Sequence, residues 1–179
     1  GGGMSAEVVS IADGEPLQIP LCDPDLTQED LEAVNVVLCG DRLGEGPTVE
    51  TLERAFADHC GRAKGIAVAS AAMGLLIALT AKGIGPGDEV ILSAHSFREL
   101  GHAVLRSGAT PVFADIDYWS GCLSAIKSAA KVTDKTRAII AGNAAGHPAD
   151  WPALRALADE HSLFLIEDSS EAIGSRHKA

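Results

Sequence analysis

Gly83-Ile84-Gly85-Pro86-Gly87-Asp88-Glu89-Val90-Ile91-Leu92 sets a turn directly against an apolar run. Gly83, Gly85, Pro86 and Gly87 break any regular element and predict a turn over 83–88. Val90, Ile91 and Leu92 are bulky and lack polar alternation, so 89–92 predicts a strand buried on both faces. Working outward toward the C-terminus, the pattern gives a helix over 96–107, a strand over 111–114 and a helix over 123–131. A strand over 138–141 follows, then a helix capped by Asp150 with Trp151, Leu154, Leu157 and Ala158 on one side, and a last strand over 163–167. Toward the N-terminus, Ile66–Ala69 is a short apolar run that predicts a buried strand, and 71–82 a buried helix. Strands alternating with helices predict an α/β fold: a mainly parallel sheet with helices on both faces.

Residues 4–26 carry Pro16, Pro20 and Pro24 and read as an extended arm. A helix is expected after Thr27, with Leu31, Val34 and Leu38 on one face and Gly40 past its end. After a loop over 41–47, a second helix places Val49, Leu52 and Phe56 together and stops near Gly61. The organisation expected is therefore an arm and two helices over 4–64, then part of a larger domain over 65–179. Gly1-Gly2-Gly3 ahead of Met4 reads as an expression scar and is set aside.

With 14 Lys plus Arg against 25 Asp plus Glu, the formal charge is −11. That argues against nucleic-acid and membrane partners, which need a basic surface. It leaves room for a local phosphate site, because backbone N–H groups build one without net positive charge. Aromatic residues are only 4 %, so packing must rest on Ala, Val, Leu and Ile. Cys22, Cys39, Cys60 and Cys122 form no CxxC pair, and the histidines form no metal-binding spacing. Reduced thiols, no metal and a cytoplasmic location are the expectation. The longest uncharged run, 65–81, falls short of a membrane span and contains Ser70 and Gly74.

In parallel α/β sheets, ligands bind beyond the carboxyl ends of the strands. That rule selects Ser70, His95 to Phe97, Asp115, Asn143 and Asp168. Acidic residues ending strands commonly cap the next helix, and Asp115, Asn143 and Asp150 are expected to serve turns and caps. Ser70, Phe97 and Asp168 combine a helix N-terminus, an aromatic plate and a carboxylate at one sheet edge. Those parts suit a flat, cationic, phosphorylated heteroaromatic ring.

Gly83–Ile91, then Ser96-Phe97, then Pro111-Val112-Phe113-Ala114-Asp115-Ile116-Asp117, then Gly146-His147-Pro148-Ala149-Asp150, then Glu167 to Gly174 follow one another in an order and spacing that resemble the DegT/DnrJ/EryC1/StrS family. Gly46-Pro47, Leu52-Glu53 and Phe56-Ala57 fit it as well, so the likeness spans about residues 17–178. The family consists mostly of sugar aminotransferases of fold type I that use pyridoxal 5'-phosphate (PLP). The resemblance implies that Asp168 pairs with the cofactor's ring nitrogen, that Phe97 stacks on the ring, and that the amides after Ser70, at Ala71 and Ala72, hold the phosphate. It implies transamination of a ketone on a nucleotide-linked sugar or a cyclitol, from an amino donor such as Glu or Gln.

Three departures accompany the resemblance. The family's Ser-Gly-Thr phosphate turn is here Ser70-Ala71-Ala72, which loses a hydroxyl contributing about 1 kcal/mol. Glu171 stands where the aminotransferases carry a Gln that donates to the cofactor's phenolic oxygen, so it either carries a proton or faces away. Sugar dehydratases of the family carry a His there. The Schiff-base lysine lies beyond Ala179; Lys64, Lys82 and Lys178 do not occupy its position. The expectation is a split enzyme: a second polypeptide brings the remaining strands, the lysine and the C-terminal domain, and the pair doubles into a dimer of heterodimers. The alternatives are a non-catalytic assembly or regulatory subunit, a degenerate paralogue, a dehydratase fragment, or a piece of one longer enzyme.

Overall fold

The computed structural model describes residues 23–176. The arm expected over 4–26 lies largely outside these residues, and Cys22 and Lys178 lie wholly outside them. The chain divides into two compact units, residues 1–65 and 66–179.

The first unit holds α1 (Gln28–Leu38) and α2 (Pro47–His59). Thr27 starts α1 with a capping box. Its hydroxyl accepts from the Asp30 amide at 3.3 Å, and Asp30 Oδ2 accepts from the Thr27 amide at 2.8 Å. The face expected of Leu31, Val34 and Leu38 forms, but no residue of α1 is buried.

The second unit holds α3 (Ala71–Ala81), β1 (Glu89–Ser93), α4 (Arg98–Ser107), β2 (Thr110–Ala114), α5 (Ala125–Ala129), β3 (Thr136–Gly142), α6 (Trp151–Glu160) and β4 (Phe164–Asp168). The sheet is parallel throughout, in the order β2-β1-β3-β4. The glycine-rich turn works as expected. Asp88 Oδ2 accepts from the Gly85 amide at 3.0 Å, and Gly87 takes a φ of 93°. Gly108 ends α4 at a φ of 88°, and a Cβ there would lie 2.8 Å from the Pro86 ring. The turn therefore packs on a position that only glycine can occupy.

Each face of the sheet has its own core. Val90, Leu92, Ala138 and Ile140 meet Leu75 and Leu79 of α3 and Leu100, Ala103 and Val104 of α4. Ile91, Ile139 and Ala141 meet Leu154, Leu157 and Ala158 of α6, with Cys122 and Leu123. Alternate residues of β1 and β3 thus feed opposite layers, which is why those strands read as unbroken apolar runs.

One expectation fails. Ile66–Ala69 forms no strand, and Ile66 is 79 % exposed rather than buried. A strand exists only through a ladder, and none of the four described strands pairs with this segment. The helix expected over 123–131 is shorter, because Ser124 caps it at Ala125. Among the described residues no helix is long and apolar enough to cross a membrane.

Candidate active site

The carboxyl ends of β1, β3 and β4 open onto a cavity of about 560 Å³. Its walls include His95, Phe97, Asn143, Asp168 and Glu171. Each is delivered by a strand end or the turn that follows it.

After β1, Ser93 ties the turn: its hydroxyl oxygen accepts from the His95 amide at 3.0 Å, and its carbonyl accepts from Ser96 Oγ at 2.7 Å. This fixes Phe97 as the N-cap of α4, a residue 56 % exposed that sets a flat apolar side chain on the cavity wall. His95 Nδ1 lies 2.9 Å from the Gly121 carbonyl. A carbonyl only accepts, so Nδ1 carries the proton in this contact.

After β4, the Asp168 carboxylate is held by one oxygen. Oδ1 accepts from the Ser170 amide at 3.1 Å and from the Ser170 hydroxyl. The other oxygen is left for a donor in the cavity. Glu171 also lines the cavity, and its Oε2 accepts from the Ala145 amide at 3.1 Å. The Glu171 carboxylate is thus engaged with the protein's own backbone at the cavity wall. Ala145 sits at φ 49°, ψ 33°, a left-handed conformation that strains a residue with a Cβ by about 1–2 kcal/mol. Strain of this kind at a cavity wall is held by its surroundings, here by Glu171.

After β3, Asn143 is 7 % exposed and saturated with hydrogen bonds. Asp150 caps α6 by accepting from the Ala153 amide at 3.2 Å, as expected. Asp115 pairs with Lys127 at 3.0 Å. That hydrogen bond, then the Ile116 amide and the ammonium charge, holds the Asp115 carboxyl below its ordinary value.

Ser70 caps α3, its side chain accepting from the Met73 amide at 3.2 Å. Helix geometry leaves the amides of Ala71 and Ala72 without intrahelical acceptors, as an anion site needs. The structure does not bring Ser70, Ala71 and Ala72 into the walls of the Phe97–Asp168 cavity. The segment that leads into Ser70 is the one that fails to join the sheet.

Sequence reasoning missed Ser170 as the holder of Asp168, and it gave Asn143 only a local role. The signal lay in Trp151: an indole N–H at the start of a buried helix needs an acceptor, and Asn143 is the amide within reach in sequence. No lysine stands among the walls of the cavity. Lys82 lies over the Phe164 ring, 4.8 Å from its centroid. That is the amino end of β4, about 13 Å along the strand from Asp168. Among the described residues no group of three or more His, Cys, Asp or Glu could hold a metal.

Comparison with known proteins follows the same lines. The model of the DegT/DnrJ/EryC1/StrS aminotransferase family matches residues 24–179. The spore coat polysaccharide biosynthesis protein SpsC of Bacillus subtilis (strain 168) is 38 % identical over 160 residues, which is 89 % of this chain and 41 % of SpsC. Among solved structures, DesV of S. venezuelae superposes with a TM-score of 0.79 at 38 % identity, over 82 % of this chain and 39 % of DesV. Spr1654 of Streptococcus pneumoniae, in its PMP form, gives a TM-score of 0.83 at 26 % identity, over 88 % of this chain and 44 % of Spr1654. Spr1654 has also been solved in a PLP form. The chain thus spans about two-fifths of the length of these relatives.

Proposed function

The chain belongs to the DegT/DnrJ/EryC1/StrS aminotransferase family, whose aminotransferases depend on PLP, and we propose that it is the cofactor-facing part of such an enzyme, acting on a keto group of a nucleotide-linked sugar or a cyclitol. The observation that carries this reading is the pairing of Asp168 with Phe97 across one cavity. A carboxylate with one oxygen pinned and one open, lining the same cavity as an exposed aromatic side chain, fits a protonated heteroaromatic ring. The residues present therefore fit the cofactor.

In this reading the Asp168 carboxylate accepts from the ring N–H and keeps that proton in place. The bound cofactor supplies an electron sink for a carbanion at the carbon bearing the amino group. Phe97 orients the ring and excludes water from one face. Ser70, Ala71 and Ala72 take the phosphate through the N-terminus of α3 once the Ile66–Ala69 segment is built into the sheet. Glu171 keeps the Asn143–Gly146 turn against the site, so it positions the wall rather than donating to the ring.

The lysine that shuttles the proton is assigned to a second polypeptide, which also supplies strands beyond β4 and the C-terminal domain. Two features support completion of the sheet by further strands: among the described residues β4 has no neighbour on its outer edge, and Ile66 and Val68 stand exposed. The pair is proposed to double into a dimer of heterodimers. A cytoplasmic location belongs to the same reading. One observation favours a non-catalytic subunit instead: the phosphate-turn residues stand apart from the cavity while Glu171 is already engaged.

The test is co-purification of the chain with whatever completes the fold, followed by the absorption of bound cofactor and its trapping with borohydride. A band that Asp168→Ala abolishes is the expected result, with the trapped lysine in the second polypeptide. A complex that binds no PLP, or binds it equally well as Asp168→Ala, would mean a non-catalytic subunit. A trapped lysine on a longer form of this same chain would remove the split and leave the chemistry.

A further inference from the structure

We propose that Asn143 is the positioning residue that aims the Asp168 carboxylate into the cavity; this rests on the reading of Asp168 given above. Asn143 sits at the carboxyl end of β3, beside the end of β4, and is buried. Its Nδ2 donates to Glu167 Oε1 at 2.9 Å and to Ser169 Oγ at 2.8 Å. Its backbone N–H donates to the Asp168 carbonyl at 3.0 Å. One residue therefore grips the residue before Asp168, the residue after it, and Asp168's own main chain.

The consequence for Asp168 is directional. Glu167 and Ser169 reach the same amide, so they share one side of the backbone, and Ser169 Oγ closes the set by donating to Glu167 Oε1 at 2.6 Å. The side chain between them is left to the other side, where Asp168 lines the cavity.

The anchor at the far end of Asn143 is equally fixed. Its Oδ1 accepts from the Ala149 amide and from Trp151 Nε1, each at 2.9 Å. Two donors and two acceptors are all used, which no other side chain of this size provides. Aspartate keeps the acceptors, loses the donors and sets a negative charge against Glu167. Asn143→Asp therefore cuts the side-chain grip on Glu167 and Ser169, and leaves the backbone bond to Asp168 and the anchor at Ala149 and Trp151.

The experiment uses the assembled protein with Trp119→Phe, which leaves Trp151 as this chain's one tryptophan, and emission is read as the difference from the same assembly with Asn143 intact. PLP affinity is measured by titration for Asn143→Asp, for Asp168→Asn and for both together. Asn143→Asp is expected to weaken PLP binding roughly tenfold with Trp151 emission unchanged, and to cost less than about twofold once Asp168→Asn is present. A full tenfold loss in both backgrounds, or no loss in either, overturns the proposal. Amide exchange without cofactor gives a second readout: the Ser170 amide is expected to exchange faster in Asn143→Asp, and unchanged exchange also overturns it. Should Asp168→Asn bind PLP as well as the parent, the cofactor reading fails, while the exchange result still judges the brace. If Asn143→Asp does not fold, Ser169→Ala removes one acceptor of the grip and leaves the buried anchor alone. A two- to threefold loss of affinity is then expected, and none overturns the proposal.

Discussion

The two edges of the sheet are built differently. β2, at one edge, carries Pro111, which has no N–H to offer a further strand. Its Phe113 is 51 % exposed, and the chain leaves it through a closed turn stitched by Asp117. β4, at the other edge, runs Phe164-Leu165-Ile166 with no proline, and these side chains are half-buried on both faces. A natural edge is blunted, whereas an edge due to be covered looks like an interior strand. The contrast teaches that, of the two described edges, β4 is the one fit to take a further strand, as the proposed completion of the sheet requires. A strand added there would put Asp168, at the tip of β4, in the middle of the sheet, where a parallel fold keeps its ligand.

The strongest way to break that contrast is the same substitution on both edges. Leu165→Lys sets an ammonium between the core layer of α6 and the open edge of β4. It is expected to destabilise the second unit by about 2–3 kcal/mol and to abolish binding of the proposed second polypeptide. Phe113→Lys on β2 is expected to stay within about 1 kcal/mol and to leave assembly intact. Urea unfolding and size-exclusion chromatography of the two variants measure both effects. Equal effects on assembly would remove the distinction between the edges.

How much of this was legible in the sequence depends on where each element gets its partners. The turn at Gly83–Asp88 and the runs through Val90–Leu92 and Ala138–Ala141 were readable, because glycine, proline and two-sided burial act locally. Thr27 and Asp150 were readable as caps for the same reason. Ile66–Ala69 has the same apolar character but no ladder to join, and composition cannot supply a neighbour. The strand-end rule alone selected Phe97 and Asp168, which line one cavity, whereas Glu171 was legible only through the family resemblance. The rule selected Ser70 as well, but the phosphate turn stands apart from that cavity, since it depends on the segment without a ladder. The brace at Asn143 escaped because its partners come from β4, α6 and the turn between, up to 26 residues away.

A smaller effect sharpens what holds the tip of β4. Ala145 is strained and is kept in place by Glu171. Ala145→Gly should relieve the left-handed backbone and raise stability by about 1 kcal/mol. Thermal unfolding checks the sign. The same replacement loosens the cavity wall, so cofactor affinity is expected to fall slightly even as stability rises. A parallel rise in both would mean that the strain serves no purpose at the site.

The smallest effect belongs to the β2 side, where the chain beyond the strand is tied by two carboxylates. Asp115 is held below its ordinary value of 3.8 chiefly by its hydrogen bond with Lys127. Asp117 is lowered chiefly by the Ser120 amide, with the Ser120 hydroxyl next. A carboxyl whose folded pKa is depressed contributes stability that is fully present above its unfolded pKa and is lost as pH falls through the folded one. The contribution of this turn is therefore constant at neutral pH and fades only below about pH 4. Asp115→Asn with Asp117→Asn should lower the urea midpoint at pH 7 by a small margin, and the margin should narrow progressively as pH falls below about 4. Both groups are open to solvent, so salt should shrink the Asp115–Lys127 share at pH 7 and leave the Asp117–Ser120 share, which is a hydrogen-bonded turn rather than an ion pair. A gap that widened on acidification would mean that the carboxylates repel one another in the folded state, and that the closed turn beside β2 forms in spite of their charge.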